Sequence, residues 1–226
     1  MIEDTNYRNE FIAAETGGIK LHYCNDGLVK GNYVRNTVGG GSAGIWTDWG
    51  NQGIRVTQNV LVNNNWGYYG EAVVGPILVD NNIFIDNNQF RSLDGAGIIF
   101  ANNLFFNETM AYDGEGRNCM VFEPHTMNDR EVYSKPQYFQ WFNNISFQKP
   151  IKQPKGENNV MIGNCSNAGS DFTYKATTDA VSISFTLDKE PTGEQVMVNP
   201  ALSGIIQPAG EGIRDIVDRD YFGTSF

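Results

Sequence analysis

A short motif that recurs along the chain constrains the fold more than any other feature of this sequence. It consists of an asparagine, an apolar or aromatic residue, any residue and a second apolar residue, led by Asn32, Asn59, Asn82, Asn103 and Asn144. The first copy is the loosest, because Arg35 takes its fourth place. The gaps between lead asparagines are 27, 23, 21 and 41 residues, and the last fits two turns or one turn with a long insertion. A period in the low twenties, without a helical pattern, predicts a parallel β-helix.

The abundance of asparagine supports this interpretation. Asparagine is depleted from ordinary strands, yet the chain has 26 of them and many lie inside apolar stretches. Equivalent positions of a parallel β-helix stack about 4.8 Å apart, so asparagines at one repeated bend are expected to form a ladder in which each amide donates to the next. Asparagine also tolerates the left-handed backbone of a tight bend. A β-sandwich with asparagine-rich turns is disfavoured, because its strands recur about every 8–12 residues.

The extent of the repeat predicts the domain organisation. The motif is clear from residues 17 to 107 and recurs at 140–148, so we expect β-helix coils over residues 1–150. Residues 108–139 interrupt it and are expected to form a long polar loop at the active site. Residues 151–226 are expected to form an irregular or β-rich appendage packed on the solenoid. Because residues 1–16 are too few to cover the open end, we expect missing N-terminal coils or a partner chain to cover it.

Composition excludes several classes of function. With 16 basic and 26 acidic side chains in 226 residues, the formal net charge is −10, which opposes nucleic-acid binding. No apolar run reaches membrane-spanning length, so no membrane partner is expected, and no signal-peptide pattern opens the chain. The three cysteines lack metal-ligand spacing, and two histidines are too few for a His-rich metal site. We therefore expect no cofactor, although a structural calcium ion is compatible with the acidic side chains.

Two acidic residues occupy equivalent places in the repeat. Asp48 precedes Asn59 by eleven residues, and Glu71 precedes Asn82 by the same number. Their backbones are therefore expected about 4.8 Å apart on consecutive turns. Two carboxylates at this separation repel each other, so one of the two is expected to hold a proton near neutral pH. Retaining glycosidases use such a pair, with carboxyls about 5–5.5 Å apart, whereas inverting enzymes hold them about 6.5–9.5 Å apart.

The residues around the acids suit a sugar. Aromatic side chains that could stack on pyranose rings cluster there, namely Trp46, Trp49, Trp66, Tyr68 and Tyr69. Lys20 and His22 alternate along one segment and are expected to share a face. His125, in the polar loop, could contact sugar hydroxyls. Arg55 could pair with Asp48 or be solvated.

Less specific interpretations of the same residues remain open. The two acids could bind calcium, or could be solvated side chains on an outer face. The aromatic residues could belong to the core, and His22 could be a structural residue with its hydrogen bonds satisfied.

The residues around the acid pair also resemble glycoside hydrolase family 120. The likeness lies in Gly-Ile-Trp-Thr-Asp-Trp at 44–49, Gln-Gly at 52–53, Glu71, Gly-Pro at 75–76 and the segment 78–84. It extends to residues 19–22, 124–126 and 218–223, and covers most of the chain. The resemblance implies a right-handed parallel β-helix and a retaining β-xylosidase that acts on an oligosaccharide or polysaccharide-derived substrate. It also implies that Asp48 is the nucleophile and Glu71 the acid/base, which the spacing alone left undecided. Members of the family are much longer than this chain.

The sequence thus supports a retaining glycoside hydrolase that cleaves β-xylosidic or related bonds. A non-catalytic carbohydrate-binding or structural β-helix is the first alternative. A calcium-dependent polysaccharide lyase is the second, but the negative charge and the aromatic-rich acid pair fit it poorly.

Overall fold

The described part of the chain is a right-handed parallel β-helix, which confirms the predicted fold class. The computed structural model describes residues 1–11, 15–122, 128–169, 171–177 and 180–188. Their regular structure consists of β-strands, and three parallel sheets run along a solenoid of about six turns. Among these residues there is no helix with the length and apolarity that crossing a bilayer requires.

Each complete turn contributes one short strand to each sheet, and the turns at the two ends contribute fewer. The first sheet begins with β1 (Ile2–Glu3). It continues with six strands that each follow an asparagine: β4 (Tyr33–Arg35), β7 (Val60–Val62), β10 (Ile83–Ile85), β13 (Leu104–Phe106), β18 (Ile145–Phe147) and β20 (Cys165–Ser166). The second sheet, in which β5 and β8 carry the two acids, consists of β2 (Gly17–His22), β5 (Ala43–Asp48), β8 (Trp66–Glu71), β11 (Gln89–Leu93) and β14 (Thr109–Asp113). The third sheet closes the turns: β3 (Leu28–Lys30), β6 (Ile54–Thr57), β9 (Ile77–Asp80), β12 (Ile98–Ala101), β17 (Gln140–Phe142) and β19 (Val160–Ile162).

Two antiparallel hairpins lie outside the three sheets. The first pairs β15 (Arg117–Phe122) with β16 (Asp129–Ser134), and we call it the inserted hairpin. The second pairs β21 (Phe172–Ala176) with β22 (Val181–Phe185), within the predicted C-terminal appendage.

The structure places the limits of the repeat differently from the sequence pattern. Strand β14 pairs with β11 in the second sheet, so the expected loop 108–139 begins with a coil strand and continues into the inserted hairpin. The 41-residue gap between Asn103 and Asn144 is therefore one turn with an insertion, because β13 pairs directly with β18. Beyond residue 150, β19 and β20 still pair with the solenoid. The copy led by Asn164 escaped the sequence pattern because it has Asn167 at the fourth place, where most earlier copies have an apolar residue.

The interior is built from side chains that stack from turn to turn. The middle residues of four first-sheet strands, Val34, Leu61, Phe84 and Phe105, are in register and fully buried. The rings of Phe84 and Phe105 are stacked with centroids 4.9 Å apart. Because the register is fixed, equivalent aromatic residues are brought to the separation that ring stacking favours.

The outer face of the first sheet is also apolar. Phe106 and Phe147 stack there with centroids 4.6 Å apart, and Phe172 and Ile183 of the second hairpin pack against this cluster. Strands covered on both faces need apolar residues at successive positions, which explains why the third place of the motif, which faces the interior, is also apolar in the first four copies.

The predicted asparagine ladder is present and buried. The Asn59 amide nitrogen Nδ2 donates to Asn82 Oδ1 at 3.0 Å, and Asn82 Nδ2 donates to Asn103 Oδ1 at 3.0 Å. The same acceptor oxygens also receive the backbone N–H of the preceding rung, and each Nδ2 donates to a strand carbonyl such as Val56 O. The ladder starts at Asn32 and continues through Asn144 to Asn164. It satisfies buried backbone groups at the bend, which would otherwise be costly.

The left-handed residue at this bend is not the ladder asparagine itself, as the sequence argument had assumed. It is the residue just before it, with positive φ at Gly31, Gln58, Asn81, Asn102, Asn143 and Gly163. The ladder side chain is thereby free to face the interior while its neighbour makes the turn.

A second ladder, which the sequence analysis missed, ends in a carboxyl group. Asn64 Nδ2 donates to Asn87 Oδ1 at 2.8 Å, and Asn87 Nδ2 donates to Glu108 Oε1 at 2.7 Å. Glu108 is 1% exposed, and its Oε2 has no hydrogen-bond partner among the described residues. Burial raises the pKa of Glu108 from 4.5 to about 8, against the smaller opposing effect of its bonds with Asn87. Glu108 is therefore protonated at neutral pH.

We expect Asn82→Leu to lower the free energy of unfolding by about 3 kcal/mol, because it leaves the buried N–H and amide of Asn59 without an acceptor. Urea unfolding followed by circular dichroism measures this change. Asn88→Ala is the control, since Asn88 is exposed, and it should change the value by no more than about 0.5 kcal/mol. Equal effects of the two substitutions would contradict a stabilising role for the ladder.

We expect Glu108→Gln to flatten the dependence of stability on pH. In the unfolded chain Glu108 ionises near its ordinary pKa of 4.5, whereas in the folded chain it keeps its proton up to about pH 8. Its contribution to stability is therefore full below pH 4.5 and is lost as the pH rises to about 8. Urea unfolding at pH 5 and pH 8 should show the variant gaining roughly 3 to 5 kcal/mol on the wild type over that interval. A parallel decline of both proteins would refute this assignment.

Candidate active site

The second sheet carries two rows of functional side chains on its outer face. His22, Asp48 and Glu71 are directly paired across β2, β5 and β8. Two residues earlier, Lys20, Trp46 and Tyr69 form a parallel row that continues to Arg91. Residues two apart on a strand point to the same side, so both rows face outwards. The predicted register of Asp48 and Glu71 on consecutive turns is confirmed.

A β-bulge turns the aromatic residues towards the acids. Between β8 and β11 the register shifts, so that Trp66 and Tyr69 face the same side although they are three residues apart. Gly67 occupies the shifted position, where an added Cβ would lie 2.9 Å from the ring of Phe84. The bulge thus has a glycine at a position where the side chains of Phe84 and Asn87 leave no room for a Cβ.

Asp48 is buried beside a lysine. It is 6% exposed, and Lys20 Nζ lies 3.0 Å from its Oδ2. His22 Nε2 lies 3.9 Å from the same oxygen. Burial lowers the pKa of Lys20, but its hydrogen bonds with Glu15 and Asp48 outweigh that effect, and the net direction is upwards. Lys20 therefore places a positive charge directly against the Asp48 carboxyl.

Glu71 has a different pair of partners. Arg117, the first residue of the inserted hairpin, forms an ion pair with its Oε1. The hydroxyl of Tyr69 is hydrogen-bonded to the same carboxyl group. Burial, followed by the charge of Glu71, raises the pKa of Tyr69, so the hydroxyl keeps its proton and donates. Two donors therefore fix the orientation of Glu71.

The aromatic residues form the wall behind the acids. Trp46 is fully buried and Tyr69 is 3% exposed. Tyr69 lies between Trp46 and Trp66, with ring centroids 4.7 Å from each. Lys20 Nζ lies 3.8 Å from the centre of the Trp46 ring and covers it in a cation–π contact. The expected stacking surface for a sugar is thus occupied by Lys20 in this state, and Tyr69 contacts the acid Glu71 instead.

Trp49 lies at the corner that follows Asp48. Its φ of 29° is unusual for a bulky residue, and the neighbouring coil has Ala72 at the equivalent corner. The half-buried indole packs with Ala72, Val74, Cys119 and Val121, so the inserted hairpin lies against it. The strained conformation is thus held by packing from both sides.

Other predicted residues have different environments. Tyr68 points inwards and stacks on Phe90 with centroids 5.6 Å apart. Arg55 forms hydrogen bonds of 2.9 and 2.7 Å with the buried carboxylate of Asp80, so it does not pair with Asp48 as one interpretation had it. His125 lies outside the described residues. Within the described ranges no group of three or more His, Cys, Asp or Glu side chains is placed to hold a metal ion.

Sequence reasoning missed Arg117 and Asp94, which lies 3.2 Å from the Arg117 side chain. Arg117 belongs to an insertion and follows no periodic pattern that would relate it to Glu71, which lies 46 residues earlier. Asp94 does carry a signal, because it follows Leu93, the next member of the acid row after Glu71.

We expect Gly50→Ala to displace the inserted hairpin, because a Cβ at this corner would overlap the carbonyl oxygen of Met120. Gly31→Ala is a matched control: its φ of 68° is close to the 71° of Gly50, but nothing lies within 4 Å of the added Cβ. Both variants should lose about 1–2 kcal/mol of stability from the left-handed backbone. Only Gly50→Ala should also speed thermolysin cleavage within residues 117–134. Equal cleavage rates would contradict the packing of the hairpin on Gly50.

Comparison with known proteins supports the fold. No family model matches the sequence, and no curated protein sequence matches it. Among solved structures, the complex structure of XylC with xylose matches with a TM-score of 0.73 and 18% sequence identity. The match covers 100% of this chain and 43% of the XylC chain, so the chain described here spans less than half of that length. At this identity, the likeness shows that the two proteins share the β-helix fold.

Proposed function

We propose that this chain carries the active site of a retaining glycoside hydrolase that cleaves β-xylosidic or related bonds. The observation that carries the proposal is the direct pairing of Asp48 and Glu71 on adjacent parallel strands. Paired residues on neighbouring strands have backbones about 4.8 Å apart and side chains on one face. That spacing suits the short carboxyl separation of retaining enzymes better than the longer one of inverting enzymes.

In the first step, Asp48 attacks the anomeric carbon while Glu71 donates a proton to the leaving oxygen. The glycosidic carbon–oxygen bond breaks, and an ester bond forms between the sugar and the Asp48 carboxyl. In the second step, Glu71 removes a proton from water, whose oxygen displaces Asp48 from the anomeric carbon. The two steps need only these two carboxyl groups as reacting protein atoms.

The surroundings of Asp48 support its role as the nucleophile. A nucleophilic carboxyl must be ionised, and Lys20 at 3.0 Å stabilises that charge in a site that is mostly shielded from water. Glu71 is more accessible than Asp48, with side-chain exposures of 15% and 8%. A residue that exchanges protons with a leaving group and then with water needs that access.

The choice of sugar rests on two likenesses. The sequence around the acids resembles family 120, whose members include β-xylosidases. The structural neighbour XylC was solved with xylose. Together they support a pentose-bearing oligosaccharide as the substrate.

A second candidate function is carbohydrate binding without turnover. The ion pair between Glu71 and Arg117 favours it, because an adjacent guanidinium stabilises the carboxylate whereas a general acid must carry a proton. Calorimetry with xylo-oligosaccharides that shows binding, together with no release of reducing ends, would establish this alternative.

We expect Asp48→Ala and Glu71→Ala to abolish release of 4-nitrophenol from its β-xyloside. The two variants should differ with a 2,4-dinitrophenyl leaving group, which needs little protonation. Glu71→Ala should then still form the glycosyl-enzyme, with a burst of phenolate and a steady-state rate reduced about 10²–10⁴-fold. Asp48→Ala should show no burst. Stopped-flow absorbance measures both phases.

Azide identifies the role of each acid independently. Added to Glu71→Ala it should yield the β-xylosyl azide, because it replaces water in the second step. Added to Asp48→Ala it should yield the α-azide, because it replaces the nucleophile. Glu131→Gln, an exposed substitution on the inserted hairpin, is the control and should keep wild-type rates. Wild-type rates in either alanine variant would refute the proposed function.

A further inference from the structure

Arg117 is the one cation at the site that the coil repeat does not supply among the described residues. Its guanidinium forms an ion pair with Glu71 Oε1, and its Nε lies 3.2 Å from Asp94 Oδ2. The Cζ atom is 5.9 Å from the centre of the Trp49 ring. The side chain is 33% exposed, so it borders the open face beside the acids.

Both ends of the inserted hairpin, which carries Arg117, are fixed at Asp94. Gly116 N–H donates to Asp94 Oδ1 at 2.7 Å, directly before Arg117 in the chain. At the other end of the hairpin, the Ser134 hydroxyl contacts the carbonyl oxygens of Val73 and Asp94. One coil residue therefore anchors both ends of the hairpin, and it is also an ion-pair partner of Arg117.

The face of the inserted hairpin that packs on the solenoid also fixes its position. Cys119 and Val121 are buried against the coil corners, next to Trp49 and Ala72. Farther along, Asp129 at the start of β16 lies beside Tyr23, three corners away from Asp94. The hairpin therefore crosses the corners of four coils and holds Arg117 at a fixed height beside Glu71.

We propose that Arg117 is a positioning residue that sets the protonation and orientation of Glu71, and that Asp94 shares its charge. The inference rests on the proposed function. In the first step Glu71 must be protonated, and in the second it must accept a proton. The guanidinium favours the charged form, which serves the second step, whereas the carboxylate of Asp94 competes for Arg117 and weakens that effect.

The sharing of one guanidinium between two carboxylates predicts opposite effects of two substitutions. Arg117→Met removes the positive charge but keeps an apolar stem over Trp49. In the pH profile of kcat/KM for 4-nitrophenyl β-xyloside, the alkaline limb should then move to higher pH by about 1 pH unit or more. Asp94→Asn keeps an acceptor for Gly116 N–H but removes the competing charge, so the limb should move to lower pH. Damage to the fold alone would not move the alkaline limbs of the two variants in opposite directions.

Two further variants serve as controls. Arg117→Lys keeps the charge, so the limb should stay near the wild-type position while kcat falls, because lysine cannot contact both carboxylates with a planar fork. Arg35→Met removes an arginine that also pairs with a glutamate, Glu3, but on the first sheet, and it should leave the profile unchanged. Circular dichroism establishes that each variant is folded.

A measurement without turnover separates this inference from the proposed function. The titration midpoint of the Glu71 carboxyl carbon, observed by ¹³C NMR and assigned with Glu71→Gln, should rise in Arg117→Met and fall in Asp94→Asn. These shifts in a protein that hydrolyses no glycoside would support the positioning role and end the proposed function. An unchanged midpoint in Arg117→Met, or limbs that move together in the two variants, would overturn the inference.

Discussion

The rest of the structure depends on the strict register between successive turns, which the buried amide ladder enforces. Each ladder asparagine bonds to the equivalent residues above and below and also satisfies backbone groups at its bend. A slip of one residue would break these bonds and turn the apolar side chains the wrong way. The same register stacks Phe84 on Phe105 in the interior and places Asp48 beside Glu71 on the surface. Because two equivalent positions of the repeat carry acidic residues, the register brings these two carboxyl groups together.

The site combines two kinds of construction. The coil repeat supplies the acids, the aromatic wall and Lys20, all on three adjacent strands of the second sheet. The inserted hairpin supplies Arg117 from outside the repeat and closes one side of the site against Trp49. As a result each carboxylate has its own cation, which offsets the repulsion between two neighbouring negative charges. The asymmetry lies in the origin of the cation: Lys20, which also pairs with Glu15, is part of the sheet, whereas Arg117, which also pairs with Asp94, comes from the inserted hairpin.

The sequence predicted the features that follow directly from the lead asparagines of the repeat. Asn59 and Asn82 made sense in apolar strands only as rungs of a ladder, and equal offsets from them placed Asp48 and Glu71 together. Features that replace or interrupt the repeat were not predictable in the same way. Glu108 takes the place of an asparagine in the second ladder and so concealed it. The partner of Arg55 is Asp80, which lies two residues beyond Leu78, the position in register with Arg55, so equal offsets from the ladder did not identify it. Arg117 reaches Glu71 through an insertion, for which periodicity carries no information.

Trapping the covalent intermediate tests the central claim most directly. A 2-deoxy-2-fluoro-β-xyloside with a dinitrophenyl leaving group slows both steps, but the second more, so the glycosyl-enzyme accumulates. Mass spectrometry of the intact chain and of its proteolytic peptides then locates the sugar. The stacked acid pair predicts one added fluoroxylosyl group, on Asp48, with loss of labelling in Asp48→Ala. Turnover of the parent xyloside without a labelled protein, or a label on any other residue, would contradict the account.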